Sequence, residues 1–81
     1  MKTFNLMANI LVMLNGTQHL VKGRTTNEPL TEDESVETLN FMTKNFGDMV
    51  SLTVVDGSKH TVLTAAVLAN SIPSFYLEEI K

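Results

Sequence analysis

From Phe4 to Leu14 every second residue is apolar: Phe4, Leu6, Ala8, Ile10, Val12 and Leu14. A period of two is the signature of a strand, whose side chains alternate between faces. Asn15-Gly16 follows, a pair that accepts positive φ in a tight turn, and Gln18 to Lys22 reads as the returning strand of a β-hairpin. The intervening positions are unusual. Met7, Leu11 and Met13 are apolar where a solvated face would carry polar side chains, so the hairpin's second face is either covered or binds something.

The polar segment from Gly23 to Leu30 contains glycine and proline and reads as a loop. Thr31 opens T-E-D-E, a capping box in which the Thr31 hydroxyl accepts from the Glu34 amide while the Glu34 carboxylate accepts from the Thr31 amide. Glu32, Asp33 and Glu34 then lie in the first helical turn and Lys44 in the last, each with the sign that the helix dipole favours. Gly47 is expected to end the helix in the left-handed conformation. On a helical wheel Val36, Leu39, Met42, Thr43 and Phe46 fall within an arc of about 120°, the expected core stripe. Phe41 lies roughly opposite, on the outer face.

Met49 to Val55 is a β-branched run, and Asp56-Gly57 before Lys59 to Thr64 signals a second hairpin. Ala65 to Asn70 suggests a single helical turn or a corner. Pro73 lacks an amide donor and belongs before a strand or at its edge. Ser74 to Ile80 reads as a last strand, with Phe75 and Leu77 on one face and Tyr76, Glu78 and Ile80 on the other. The expected fold is α+β: a small, mainly antiparallel sheet of two β-hairpins and a C-terminal strand, packed against one amphipathic helix at about residues 32–46. At 81 residues a single domain, 1–81, is expected, and so short a chain gains from burial against a partner or a second copy.

Composition narrows the function. There is no cysteine, which excludes disulfides, thiolate catalysis and thiolate metal sites. Net charge is −3, and the six basic residues are scattered, so there is no phosphate-binding run and nucleic acid is not an expected partner. The apolar opening after Lys2 is interrupted by Asn5 and Asn9 and alternates as a strand does, which argues against a secretory signal. No apolar span of membrane length exists. A cytoplasmic or virion-associated location is the expectation.

Chemistry-bearing residues are sparse. His19 and His60 each fall on a returning strand without metal-ligand spacing; either could form a dyad with an acidic neighbour such as Asp56, a pairing that also arises by chance in any chain of this length. The serines and threonines stand in no nucleophile motif, and the glycines are isolated, so no phosphate-cradling loop is present. We therefore expect no enzyme, no metal and no cofactor, and no small-molecule substrate is evident. Asn15-Gly16-Thr17 matches a glycosylation acceptor but is better explained as a turn. Glu28, Glu32, Asp33, Glu34 and Glu37 crowd one stretch, and most of them are accounted for by helix initiation.

What remains is surface. The candidate interface is Met7, Leu11, Met13, Phe41 and Tyr76, with Ile80 a possible addition; methionines suit adaptable contacts, and sheet edges offer a way to pair with another chain. The expected function is a non-enzymatic protein–protein interaction or assembly module, with self-association or a protein partner. The alternative is a small acidic inhibitor or decoy presenting Glu32, Asp33 and Glu37 to a basic host protein. A small enzyme with a site between subunits is the third reading. In its manner, a hairpin–helix–hairpin unit with abrupt loops, the chain resembles accessory proteins of bacteriophages and mobile elements, virion decoration proteins and host-factor inhibitors among them. That resemblance rests on no specific motif and implies assembly or inhibition.

Overall fold

The computed structural model describes residues 1–81. The alternating opening stretch forms β1 (Thr3–Leu14), and β2 (Thr17–Arg24) returns along it. Between them Asn15 and Gly16 take φ of 50° and 77°, the paired positive values that a two-residue turn needs to match strand twist. A two-residue strand, β3 (Leu30–Thr31), leads into α1 (Glu32–Asn45) and a 3-10 turn at Phe46–Asp48. The second hairpin is β4 (Ser51–Asp56) and β5 (Lys59–Thr64), followed by the single turn α2 (Ala65–Leu68) and then β6 (Ser71–Ile80).

The fold is α+β, with one antiparallel six-stranded sheet and one main helix packed against it. β6 pairs with β1 from Thr3 to Val12, so β2 and β3 share the opposite side of β1. β4 joins β2 at one residue pair only, Arg24 with Val55, and β5 completes the sheet. The resulting lateral order is β6–β1–β2–β4–β5, which leaves β6, β5 and, beyond the Arg24–Val55 pair, the outer side of β2 as free edges.

That narrow joint has a cause at Gly23. The sequence places Gly23 in a loop, whereas it is a buried β2 residue opposite Ala8. A Cβ there would collide with the Val55 carbonyl oxygen and reach within 3.0 Å of Val54 Cγ1. Only a residue without a side chain lets the hairpins approach this closely. The second hairpin then curls over one face of β1. Ala8, Ile10 and Val12 from β1 form the core with Leu52, Val54, Leu63 and Leu68.

The helix begins as its capping box requires. The Thr31 amide donates to Glu34 Oε1 at 2.9 Å, and the Glu34 amide donates to Thr31 Oγ1 at 3.3 Å. Its end differs from expectation. Phe46 stays right-handed (φ −55°, ψ −41°) and the chain tightens into the 3-10 turn, so Gly47 adopts no left-handed conformation. The buried stripe differs too. Leu39, Met42 and Phe46 face the sheet as expected, but Val36 is 48% exposed and Thr43 points to solvent. Ser35 is fully buried in their place, its hydroxyl donating to the Glu32 carbonyl at 2.6 Å. The buried arc is turned by roughly 60° from the purely apolar one. Ser35 lies within that arc, and its small side chain, satisfied by its own turn, allows the helix to approach the sheet.

Two boundaries also shift. β4 starts at Ser51, leaving Met49 packed against the core and Val50 in solvent, and β6 starts at Ser71, so Pro73 lies inside the strand. The Met13 amide donates to the Asn70 carbonyl at 3.0 Å. Because hydrogen-bonded pairs recur every second residue along an antiparallel ladder, this bond sets the phase. The even-numbered residues of β6 bond to β1, and the backbone groups of Ser71, Pro73, Phe75, Leu77 and Glu79 point outward. The missing donor of Pro73 therefore falls on the free edge, where it costs the sheet nothing.

Candidate surface site on the open sheet face

The two faces of β1 have different fates. Leu6, Ala8, Ile10 and Val12 are buried on the side covered by α1, α2 and the second hairpin, while Met7, Asn9, Leu11 and Met13 lie on the other side, which both helices leave open and which the second hairpin approaches only near its turn, where Val55 and Asp56 lie beside Met7. Directly paired residues of an antiparallel sheet share a face, so the registers assemble rows across this open side. Leu20, Leu11 and Ile72 form one row across β2, β1 and β6. Lys22, Asn9 and Ser74 form the next, and Arg24, Met7 and Tyr76 the third, which Val55 and His60 extend onto the second hairpin.

The first row is apolar at all three positions and largely solvated: Leu20 is 59% exposed and Ile72 64%. Met13 adjoins it at 39% exposure. The middle row is polar, and the Oδ1 atom of Asn9 is shielded from solvent without a hydrogen-bond partner. Beside it a shallow cavity of about 270 Å³ is lined by Met7, Asn9, Lys22, Gly23, Asp56 and Tyr76. An apolar strip beside a polar row whose Lys22 and Ser74 are exposed is suited to contact with another protein surface, because apolar contact supplies driving force and hydrogen bonding supplies register.

The structure brings four of the expected interface residues together: Met7, Leu11, Met13 and Tyr76 share this face. Phe41 does not join them. It stands on the outer side of α1, 62% exposed, at the rim of a separate groove of about 530 Å³ between the end of the helix and the start of β4. Met42, Met49, Val50 and Leu52 also line that groove. Leu20 and Ile72 were not among the expected interface residues. Their signal is positional: each is paired with Leu11 across the ladder, a relation that appears only once the register of both neighbouring strands is known.

The histidines lie on opposite sides. His19 is paired with Val12 on the covered side at the sheet's margin, and His60 is paired with Val55 in the third open-face row. Both are exposed. No three His, Cys, Asp or Glu side chains converge on a point that could hold a metal ion. The acidic residues Glu32, Asp33 and Glu37 are exposed on α1, with Glu34 engaged in the cap. No helix is long and apolar enough to cross a membrane. No family model matches the chain, and neither a curated protein nor a solved structure matches it.

Proposed function

We propose that this protein is a non-enzymatic interaction or assembly module that works through the open face of its sheet. The observation that carries the reading is the Leu20–Leu11–Ile72 row, a continuous apolar strip over three adjacent strands with its two outer members more than half exposed. Covering such a strip gains about 25 cal/mol for each Å² of apolar surface removed from water. A chain of this size has little other core to draw on. A place among the accessory components of a virus particle or mobile element is compatible with this reading.

The test is the mass of the protein in solution across a concentration series, with capture of binding proteins, for the wild type and for Leu20→Lys combined with Met13→Lys. Loss of association in a variant that stays folded is the expected result. A wild type that is a monodisperse monomer at high concentration, with binding unchanged by the charges, would sink the idea.

The acidic helix supports a second reading, an inhibitor of a basic protein, because Glu32, Asp33 and Glu37 are exposed and the single ion pair, Lys2 with Glu79 at 3.8 Å, lies elsewhere. Binding of that kind is weakened by salt. Replacing the three acids with their amides should abolish it while the fold persists.

A further inference from the structure

The free edge of β6 points to a specific partner. We infer that β6 pairs antiparallel with the β6 of a second copy, about a two-fold axis passing beside Tyr76, joining two sheets into one. The inference rests on the assembly reading and adds to the open face a second surface, the β6 edge, with its occupant.

The first ground is the backbone. β6 is ten residues long and is hydrogen-bonded on one side only. The phase established by the Met13–Asn70 bond sends the amides of Ser71, Phe75, Leu77 and Glu79, and the carbonyls of those residues and Pro73, outward. An edge of this kind is complemented by another strand. The next ground is register. Outward groups must meet outward groups, so odd-numbered residues must oppose odd-numbered ones. With the axis at Tyr76, Phe75 opposes Leu77 of the second copy on the helix side. On the open face Ile72 opposes Ile80, Ser74 opposes Glu78, and Tyr76 opposes its own copy. Apolar meets apolar and polar meets polar at each of these positions; the one mixed pair is Pro73 with Glu79 on the helix side, where the Pro73 carbonyl still accepts from the Glu79 amide. Moving the axis to Phe75 sets Ile72 against Glu78, and moving it to Leu77 sets Phe75 against Glu79.

Charge selects the same arrangement. Both acids of β6, Glu78 and Glu79, lie in its C-terminal part, and its N-terminal half is uncharged. Antiparallel pairing about Tyr76 sets each acidic end against the partner's neutral end, whereas parallel in-register pairing would stack acid on acid. Symmetry adds a further reason. Pairing β6 with β6 uses one patch twice and closes as a dimer, while pairing β6 with a different free edge, β5 or the outer side of β2, is heterologous and does not close as a two-fold dimer. The dimer would also bring the two open faces side by side, extending the apolar strip from Ile72 towards Ile80 of the second copy.

The chain has no cysteine, so a single introduced thiol reports cleanly. Tyr76→Cys places two sulfurs at a non-hydrogen-bonded pair on the axis, with Cα atoms about 4.5 Å apart, within disulfide reach. Oxidation should give a covalent dimer from Tyr76→Cys and none from Ser74→Cys, which lies off the axis. Glu79→Pro removes an outward donor and leaves the ladder to β1 intact. It should weaken association at least tenfold, measured by sedimentation, while the circular dichroism of the monomer is retained.

A wild type that remains monomeric overturns the inference, as does a dimer that survives Glu79→Pro and forms no cross-link in the Tyr76→Cys variant. If the wild type associates but only Leu20→Lys with Met13→Lys disrupts it, the edge pairing fails and the assembly reading stands. If association responds to Glu79→Pro and not to the open-face charges, the edge pairing stands and the open face is not the working surface; if no association or binding responds to variants on either surface, the assembly reading itself fails.

Discussion

Consecutive residues of β1 sit in opposite worlds. Ile10 is fully buried against the second hairpin and α2, while Leu11, its neighbour, belongs to a strip whose other members are mostly in solvent. Both are large and aliphatic, and a strand's alternation cannot by itself say which of two apolar faces will be covered. What decides is the rest of the chain. The helix, its 3-10 extension and most of the second hairpin fall on the even-numbered side of β1, and the odd-numbered side keeps only its neighbours in the sheet and the end of that hairpin near Asp56. A surplus of apolar residues in a strand therefore carries two meanings, one on each face, and topology separates them.

Substitutions on the two faces can break that comparison. The largest effect is expected at Ile10. Ile10→Ala should cost about 2–5 kcal/mol of stability by urea denaturation, through lost burial and the cavity left behind. A cost no greater than that of Leu20→Ala would mean that the covered face is not the core. Gly23→Ala should follow at about 2–3 kcal/mol, since the added Cβ forces the Val55 carbonyl away and strains the joint between the hairpins; an unchanged denaturation midpoint would show that the joint is loose.

Smaller effects sharpen the contrast. Thr31→Ala removes one half of the capping box and should cost about 1 kcal/mol, with Thr31→Ser restoring most of it. Leu20→Lys, on the open face, should change monomer stability by less than about 0.5 kcal/mol. The same variant should reduce association, and the separation between those two readouts is what distinguishes a contact surface from a core. A Leu20→Lys protein that unfolds would place Leu20 in the core after all.

Much of the fold is legible in local chemistry. Asn15-Gly16, the Thr31–Glu34 box and the alternation of Phe75 with Tyr76 each act over a few residues, and each adopts the structure its side chains favour. In the second hairpin the turn sits one residue later than Asp56-Gly57 suggests: Asp56 pairs with Lys59, so Gly57 and Ser58 form the loop. Gly57 carries the positive φ, 62°. The errors gather where distant segments decide. Gly23 looks like a loop glycine until β4 arrives beside it. Val36 looks like a core residue until Ser35 proves the better fit against the sheet. The β3 strand is two residues whose only claim to be a strand is their pairing with Thr3 and Phe4.

The candidate surface divides in the same way. Met7, Leu11 and Met13 announce themselves as apolar residues out of phase with the core. Leu20 and Ile72 do not, since a single exposed leucine or isoleucine is ordinary. They join the strip only by standing on either side of Leu11, and that adjacency is a property of the ladder. Phe41 shows the converse: its exposure is readable from the helical wheel, yet it lies apart from the open face, over a different groove.

The pairing of β6 with β1 also has a kinetic side. Thr3 opposes Ile80, so this ladder joins opposite ends of the chain, whereas each hairpin closes over a turn of two residues. Loop-closure entropy makes such distant pairing slow relative to hairpin formation, which takes on the order of microseconds. During that interval β1 would be the exposed edge, with Ile10 and Val12 not yet covered from both sides. Docking of β6 then moves the exposed edge outward, from an apolar strand to one that carries a proline and two acids. On this expected order of docking, the C-terminal strand shields the edge of β1 during folding.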